Sequence, residues 1–427
     1  MSFQTGLSGL SASGKALDVI GHNIANANTV GMKASRTEFS DVVASSLGAS
    51  GGGGAGGSGI GVRVAAVTQQ FSQGNITITG NNLDLAINGG GFFQVKKVDG
   101  TIAYSRDGQF KLDANGYIVN NAGSNLLGIQ SYPTASGNIA SPVPLSLPTA
   151  ANIPAKQTTN ISAEFNLDAR APEAATQVPP TPVTTYGTSV TAYDAQGKPV
   201  PVSMYFERVS SSSPPVGLAA GKDYWKVYYT DPANATPTAM GYMAFDSAGK
   251  LTNTYDATGA ATASNKIFTQ TITPASTTVT PAFPVTIDVS TSTQFGASFG
   301  VTALSQDGYT TGQLTGISVS DTGAITSRYS NGQNQVAGTL VLADFRNVQG
   351  LQPDGGDWVA TTDSGAPVPN LPRSGNLGAI RSGALEDSNV DLTSELVNMM
   401  TAQRNYQANA QTIKTQDQVM STLVNMR

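Results

Sequence analysis

LTSELVNMMTAQRNYQANAQTIKTQDQVMSTLVNMR, residues 392–427, contains no proline and carries a regular stripe. Leu392, Leu396, Met399, Gln403, Tyr406, Ala410, Ile413, Asp417, Met420 and Val424 follow one another at alternating spacings of four and three. That is the period of a helix presenting one narrow seam to a partner. At about 1.5 Å per residue the helix is on the order of 50 Å long. Ser388 or Asp391 is placed to cap its start. FQTGLSGLSASGKALDVIGHNI, residues 3–24, repeats the alternation at Phe3, Leu7, Leu10, Gly14, Leu17, Gly21 and Ile24. Each glycine weakens a helix by about 1 kcal/mol relative to alanine, but it admits another backbone closely. Neither helix is stable exposed, since each apolar side chain left in water forgoes about 1.5–3 kcal/mol. The two are expected to pair in one layer and also to pack against other copies. Gln403 and Asp417 make a poor stand-alone core but can set register in an assembly.

Proline distribution separates these ends from the middle. None precedes Pro133, none follows Pro372, and 17 of the 22 lie between Pro142 and Pro284. Helix interiors exclude proline, so the middle is read as strands and loops. Short apolar runs at Phe92–Val95, Thr101–Tyr104, Gln109–Leu112 and Tyr117–Val119 are separated by Asp99-Gly100, Asp107-Gly108 and Asn115-Gly116. This is a meander of tight turns. Asp113, Asp194 and Asp246 each stand three residues before a glycine, as turn formers do. Without an Asp-x-Asp-x-Asp-Gly loop they are not read as calcium ligands. Gly48–Gly61 holds nine glycines, and Thr361–Asn376 is rich in Ser, Gly and Pro. Both read as flexible hinges.

The expected fold is mixed and mainly β: nested β domains with N- and C-terminal α-helices paired as a coiled-coil-like layer. Residues 1–47 and 376–427 form the helical layer, and 48–69 and 361–375 are connectors. Residues 70–152 and 291–360 form a first β domain, into which 153–290 inserts a second.

Composition narrows the chemistry. Charged residues are 12% of the chain, there is no Cys and one His, and net charge is −5. An ordinary soluble domain carries roughly 25% charge. Disulfides, thiolate zinc sites and histidine clusters are excluded. No basic block suggests nucleic acid. No apolar run approaches the ~18 residues of a membrane span, and no cleaved signal peptide is visible at Met1–Thr5. Gly9–Ala16 nearly spells a P-loop but ends in Ala16, and no buried strand precedes it. Gly54–Gly59 matches a dinucleotide fingerprint only through its glycine content, and a strand, Val62–Val67, follows instead of a helix. His22 reads as a polar helix residue. The pairs Glu386-Asp387 and Asp354/Asp357 read as solvated surface. Tyr224, Trp225, Tyr228 and Tyr229 could make an aromatic platform for sugars, but strand alternation places some of them in the core. No catalytic residue, cofactor or metal is assigned.

Three stretches carry a resemblance. Leu7–Leu10 with NIANANTVGMK (23–33), NNLDLAINGGGFF (81–93), and LEDSNVDL (385–392) with MMTAQRNYQAN (399–409) resemble the signatures of the bacterial flagellar rod and hook axial protein family. The signature positions are Asn23, Asn26, Asn28, Gly31, Leu83, Asp84, Ile87, Gly89, Gly91, Phe92, Phe93, Asn389, Asp391, Gln403 and Arg404. The inserted domain makes the chain resemble hook members rather than the shorter rod members. The resemblance implies a non-enzymatic subunit, exported unprocessed by the flagellar type III apparatus. Such a subunit forms a helical homo-polymer outside the cell, a curved tube that couples rod to filament as a universal joint. Its implied partners are the distal rod protein, the hook cap and the hook–filament junction protein, with no nucleic acid and no membrane insertion. Leu7, Leu10, Leu17, Ile24, Leu396, Met399, Tyr406, Ile413 and Met420 are the expected polymerisation contacts. Competing readings are a distal rod protein and a surface carbohydrate-binding protein. The scarcity of charge would suit outer surfaces that slide past one another through exchangeable polar contacts.

Overall fold

A computed structural model describes residues 2–43, 59–130, 141–147, 152–177, 182–210, 217–219, 222–262, 264–275 and 281–425. Two helices flank a series of strands: α1, Ser2–Ala25, and α2, Leu392–Asn425. The chain divides into two compact units, one of residues 1–150, 315–328 and 334–427, the other of 151–314 and 329–333.

The first unit contains both helices. Its main sheet runs in the order 314–319, 324–329, 334–340, 125–129, 92–96, 102–105, 357–359, 352–354. One side chain set, including Phe93, Val95, Phe110, Leu126 and Leu340, packs into a core. On the other side Phe92, Tyr104, Phe345 and Trp358 form an aromatic cluster, with Tyr104 and Phe345 edge to face at 4.7 Å.

The second unit is a sandwich. Strands Tyr186–Tyr193, Pro199–Val209, Asp223–Asp231, Asn234–Phe245 and Leu251–Asp256 pair in chain order. The facing sheet is built on Asn160–Asp168, whose alternate residues Ile161, Ala163, Phe165 and Leu167 point inward. Phe165 meets Phe206 at 4.4 Å between ring centres. Tyr224, Trp225 and Tyr229 are buried. Tyr228 is half-buried, beneath Lys226, and its hydroxyl donates to Glu207. The four aromatics therefore make no platform.

Several boundaries differ from the sequence expectation. Residues 291–314 belong with the insert, because Thr293–Phe295 and Gly300–Gln306 pair with Asn160–Asp168. The helical layer is not purely helical. β1, Ser35–Val43, pairs antiparallel with β2, Gly59–Gln69, so 59–69 is a strand instead of a connector. The glycine-rich stretch 48–58 lies outside the described residues. Residues 361–375 are anchored rather than flexible: Val368–Asn370 pairs with Leu342–Asp344, and Arg373 pairs with Asp321 at 2.5 Å. Residues 379–382 and 384–386 are strands paired with 85–88 and 76–78.

The turn formers behave alike. Asp113, Asp194 and Asp246 each accept from the backbone N–H groups two and four residues on. Asp256, outside the set expected from sequence, does the same.

Phe206→Ala should destabilise the sandwich by roughly 3–5 kcal/mol. Denaturant unfolding followed by Trp225 emission, in a Trp358→Phe background, measures it.

Candidate functional site

The helices pack antiparallel. A Cβ built on Gly6 would lie 3.2 Å from Cγ1 of Ile413, and one on Gly9 would lie 2.8 Å from Nδ2 of Asn409. At the other end Asn23 Nδ2 reaches Glu395 Oε1 at 3.4 Å. The face α1 turns to α2 and to the paired strands β1 and β2 is therefore Gly6, Gly9, Ala12 and Ala16, a stripe of small residues, with Asn23 at its far end. A groove of 370 Å³ beside it is lined by Gly9, Ala12, Ala16, Phe39, Val62 and Ala402.

This face is one residue out of step with the expected seam. Gly14 and Gly21 have nothing within 4 Å of a built Cβ, so close approach falls to Gly6 and Gly9. Leu7 (51% exposed), Leu396 (50%), Tyr406 (40%) and Met420 (61%) stand in solvent, as does Met400 (52%). Leu10, Leu17, Ile24, Met399 and Ile413 are half-buried. The physical reason is that small faces let two helices approach closely, while the large apolar side chains lie off that contact. Because Gly6 stands opposite Ile413, the last turns of α2 extend past the start of α1. Val419 and Met420 sit on that overhang and are exposed.

A junction joins this layer to the β strands of the same unit. Asn23 is buried; its Oδ1 accepts from Ser35 N at 2.9 Å and its Nδ2 donates to Ser35 O at 2.8 Å. Asn26 closes α1 by donating to His22 O at 3.0 Å, and Asn28 is exposed. His22 itself is exposed. Asn389 Oδ1 accepts from Ala34 N at 2.7 Å, and its Nδ2 donates to Gln70 O at 2.7 Å and Ser72 Oγ at 2.9 Å. Asp391 caps α2, accepting from Thr393 N at 2.9 Å. Asp84 accepts from Thr79 Oγ1 at 2.6 Å and Asn81 Nδ2 at 3.1 Å. Leu83 and Ile87 pack in the core with Phe93, and Phe92 in the aromatic cluster. Gly89 and Gly91 both adopt positive φ beside 377–378. Gln403 and Arg404 are exposed on α2, away from the junction.

At its centre lies a residue the sequence reading assigns to the surface. Glu386 is fully buried. Its Oε1 accepts from Lys33 Nζ at 2.5 Å and Gly74 N at 2.9 Å, and its Oε2 accepts from Arg106 Nη1 at 3.0 Å. Lys33 also donates to Ser72 O at 2.8 Å and Arg106 to Gly89 O at 2.9 Å. The Arg106 guanidinium lies over Phe92. Gly31 has φ +72°, donates its N–H to Glu386 O at 2.8 Å, and presses against the Arg106 backbone, where a Cβ would come within 2.5 Å. Burial pulls the Lys33 amine below its ordinary range, against the opposing pull of Glu386. Burial also lowers Arg106. Of the other acidic pair, Asp354 is exposed and paired with Lys97 at 2.6 Å, whereas Asp357 is buried and its pKa raised by burial. Arg106 has no sequence signal beyond preceding a turn. Lys33 and Glu386 stand within signature stretches, which is the one signal the sequence offers for them.

Four family models match in chain order. They are the flagella basal body rod protein (3–33), the flagellar hook protein FlgE/F/G D1 domain (86–165), the flagellar basal body protein FlaE D2 domain (166–309) and the flagellar basal body rod FlgEFG protein C-terminal (381–426). Flagellar hook protein FlgE of Escherichia coli is 38% identical, with all of both chains covered. The chain belongs to the flagellar hook protein FlgE family. The FlgE of Salmonella typhimurium is 39% identical, again over all of both chains. The fold is shared with the crystal structure of Helicobacter pylori flagellar hook protein FlgE2, at TM-score 0.53 and 15% identity, covering 73% of this chain and 100% of that one. As a FlgE family member it is a structural subunit of the flagellar hook.

Gly14→Ala and Gly21→Ala should each stabilise α1 by about 1 kcal/mol, whereas Gly6→Leu with Gly9→Leu should separate the helices and lower the helical circular dichroism signal. Between its lowered pKa and 10.5, Lys33 has released a proton that the unfolded chain still holds, so stability of this unit should rise with pH across that window. Lys33→Met should remove that rise, read as the shift in denaturant midpoint as the pH is raised toward 10.5.

Proposed function

We propose that this chain polymerises through its terminal helices into a curved, flexible tube that joins rod to filament. The observation that carries the reading is the set of apolar side chains on α2 that the described residues of its own chain leave uncovered. Leu392, Leu396, Val397 and Met400 are exposed on the first turns, and Val419 and Met420 on the overhang. Burying each gains about 1.5–3 kcal/mol, enough that several together offset the ordering cost of a contact between copies. The subunit works without catalysis. It acts outside the cell, after export through the flagellar type III apparatus. Its partners are other copies of itself, the distal rod protein, the hook cap and the hook–filament junction protein. Leu7, Leu10, Leu17 and Ile24 of α1, with Leu396, Met399, Tyr406, Ile413 and Met420 of α2, contribute the contacts.

Deletion of residues 2–27 or 396–427 should leave a soluble protein with folded strands that forms no tubes under salt-induced assembly. Tubes from either truncation, seen by electron microscopy, would overturn the role of the helices.

A further inference from the structure

Glu386 holds together parts of the chain that lie far apart. Its partners are 353 residues away at Lys33 and 280 away at Arg106. Around it meet the segment after α1, the segment after β2, the turn at Gly89 and the approach to α2. We propose that Glu386 is a positioning residue that latches the helical layer onto the β strands of its unit, and that the latch closes only when both ends of the chain are present.

The charge balance is decisive. Two buried cations share one carboxylate, so Glu386 is the one member whose loss leaves both without a counter-ion. An uncompensated buried charge is strongly unfavourable, whereas a one-to-one pair is tolerated. Until residue 386 arrives, Lys33 and Arg106 are better solvated than buried, and the segment after α1 has no reason to settle. Once the carboxylate is in place, Gly74 N and Gly31 N close on its side chain and carbonyl. Asn389 then ties residues 34, 70 and 72 together three positions further on. Both helices leave from this knot: α1 ends at Ala25, shortly before Gly31 and Lys33, and α2 begins at Leu392, shortly after Glu386 and Asn389.

Amide hydrogen exchange on the full-length monomer tests the latch without requiring polymerisation. Glu386→Gln keeps the shape and removes the charge. It should raise exchange across residues 23–43 and 389–400 on the order of a hundredfold, with Tyr224–Asp231 of the sandwich unchanged. Lys33→Met leaves a one-to-one Arg106–Glu386 pair and should stay within about tenfold of the parent. Parental protection in Glu386→Gln would overturn the proposal. So would loss spread equally over both units, or a Lys33→Met effect as large as that of Glu386→Gln.

Discussion

One buried carboxylate organises the part of the molecule that matters for assembly. In a chain with 12% charged residues, a fully buried Glu386 between Lys33 and Arg106 is a costly arrangement. Ion pairs of this kind add little net stability over an apolar core of the same volume, yet breaking one partner away is strongly unfavourable. What such a site provides is a definite arrangement. The carboxylate accepts only from donors placed around it, and those donors belong to the segments that lead into and out of the helices.

The helical layer shows the complementary economy. α1 meets α2 through glycine and alanine, so the two backbones approach closely while the larger apolar residues remain outside. A lone chain thus carries an ordered pair of helices that still exposes Leu392, Leu396, Val397 and Met400 near one end of α2 and Val419 and Met420 near the other. The strands need no such help: each unit has its own aromatic and aliphatic core, and the turns are fixed by repeated Asp-to-backbone bonds.

Much of this is legible in the residues. The absence of proline from both ends and the four-three spacing locate the two helices, and the Asp…Gly spacing locates turns of the β units. The three signature stretches point to the family. The contact face of α1 lies about one residue away from the expected seam, because periodicity finds the largest apolar side chains and the pairing uses glycines of α1, while Ile413 of the expected α2 seam does face Gly6. Val62–Val67 of β2 reads locally as a strand, but β1 is hidden because its pairing with β2 spans the glycine-rich stretch. Glu386 looks like surface because burial of a charge depends on partners 280 and 353 residues distant, which no local pattern reports. The edge of the insert shifts because residues 293–306 pair with a strand more than a hundred positions earlier.

The central claim is that the exposed stripe of α2 is covered by other copies. Peroxide footprinting of Met400 and Met420 in monomer and in assembled tubes addresses it most directly, since sulfoxide formation follows solvent access. If other copies cover α2, both residues oxidise in the monomer and are protected at least about tenfold in the tube, in line with burial at a packed interface. Equal oxidation in the two states would contradict it.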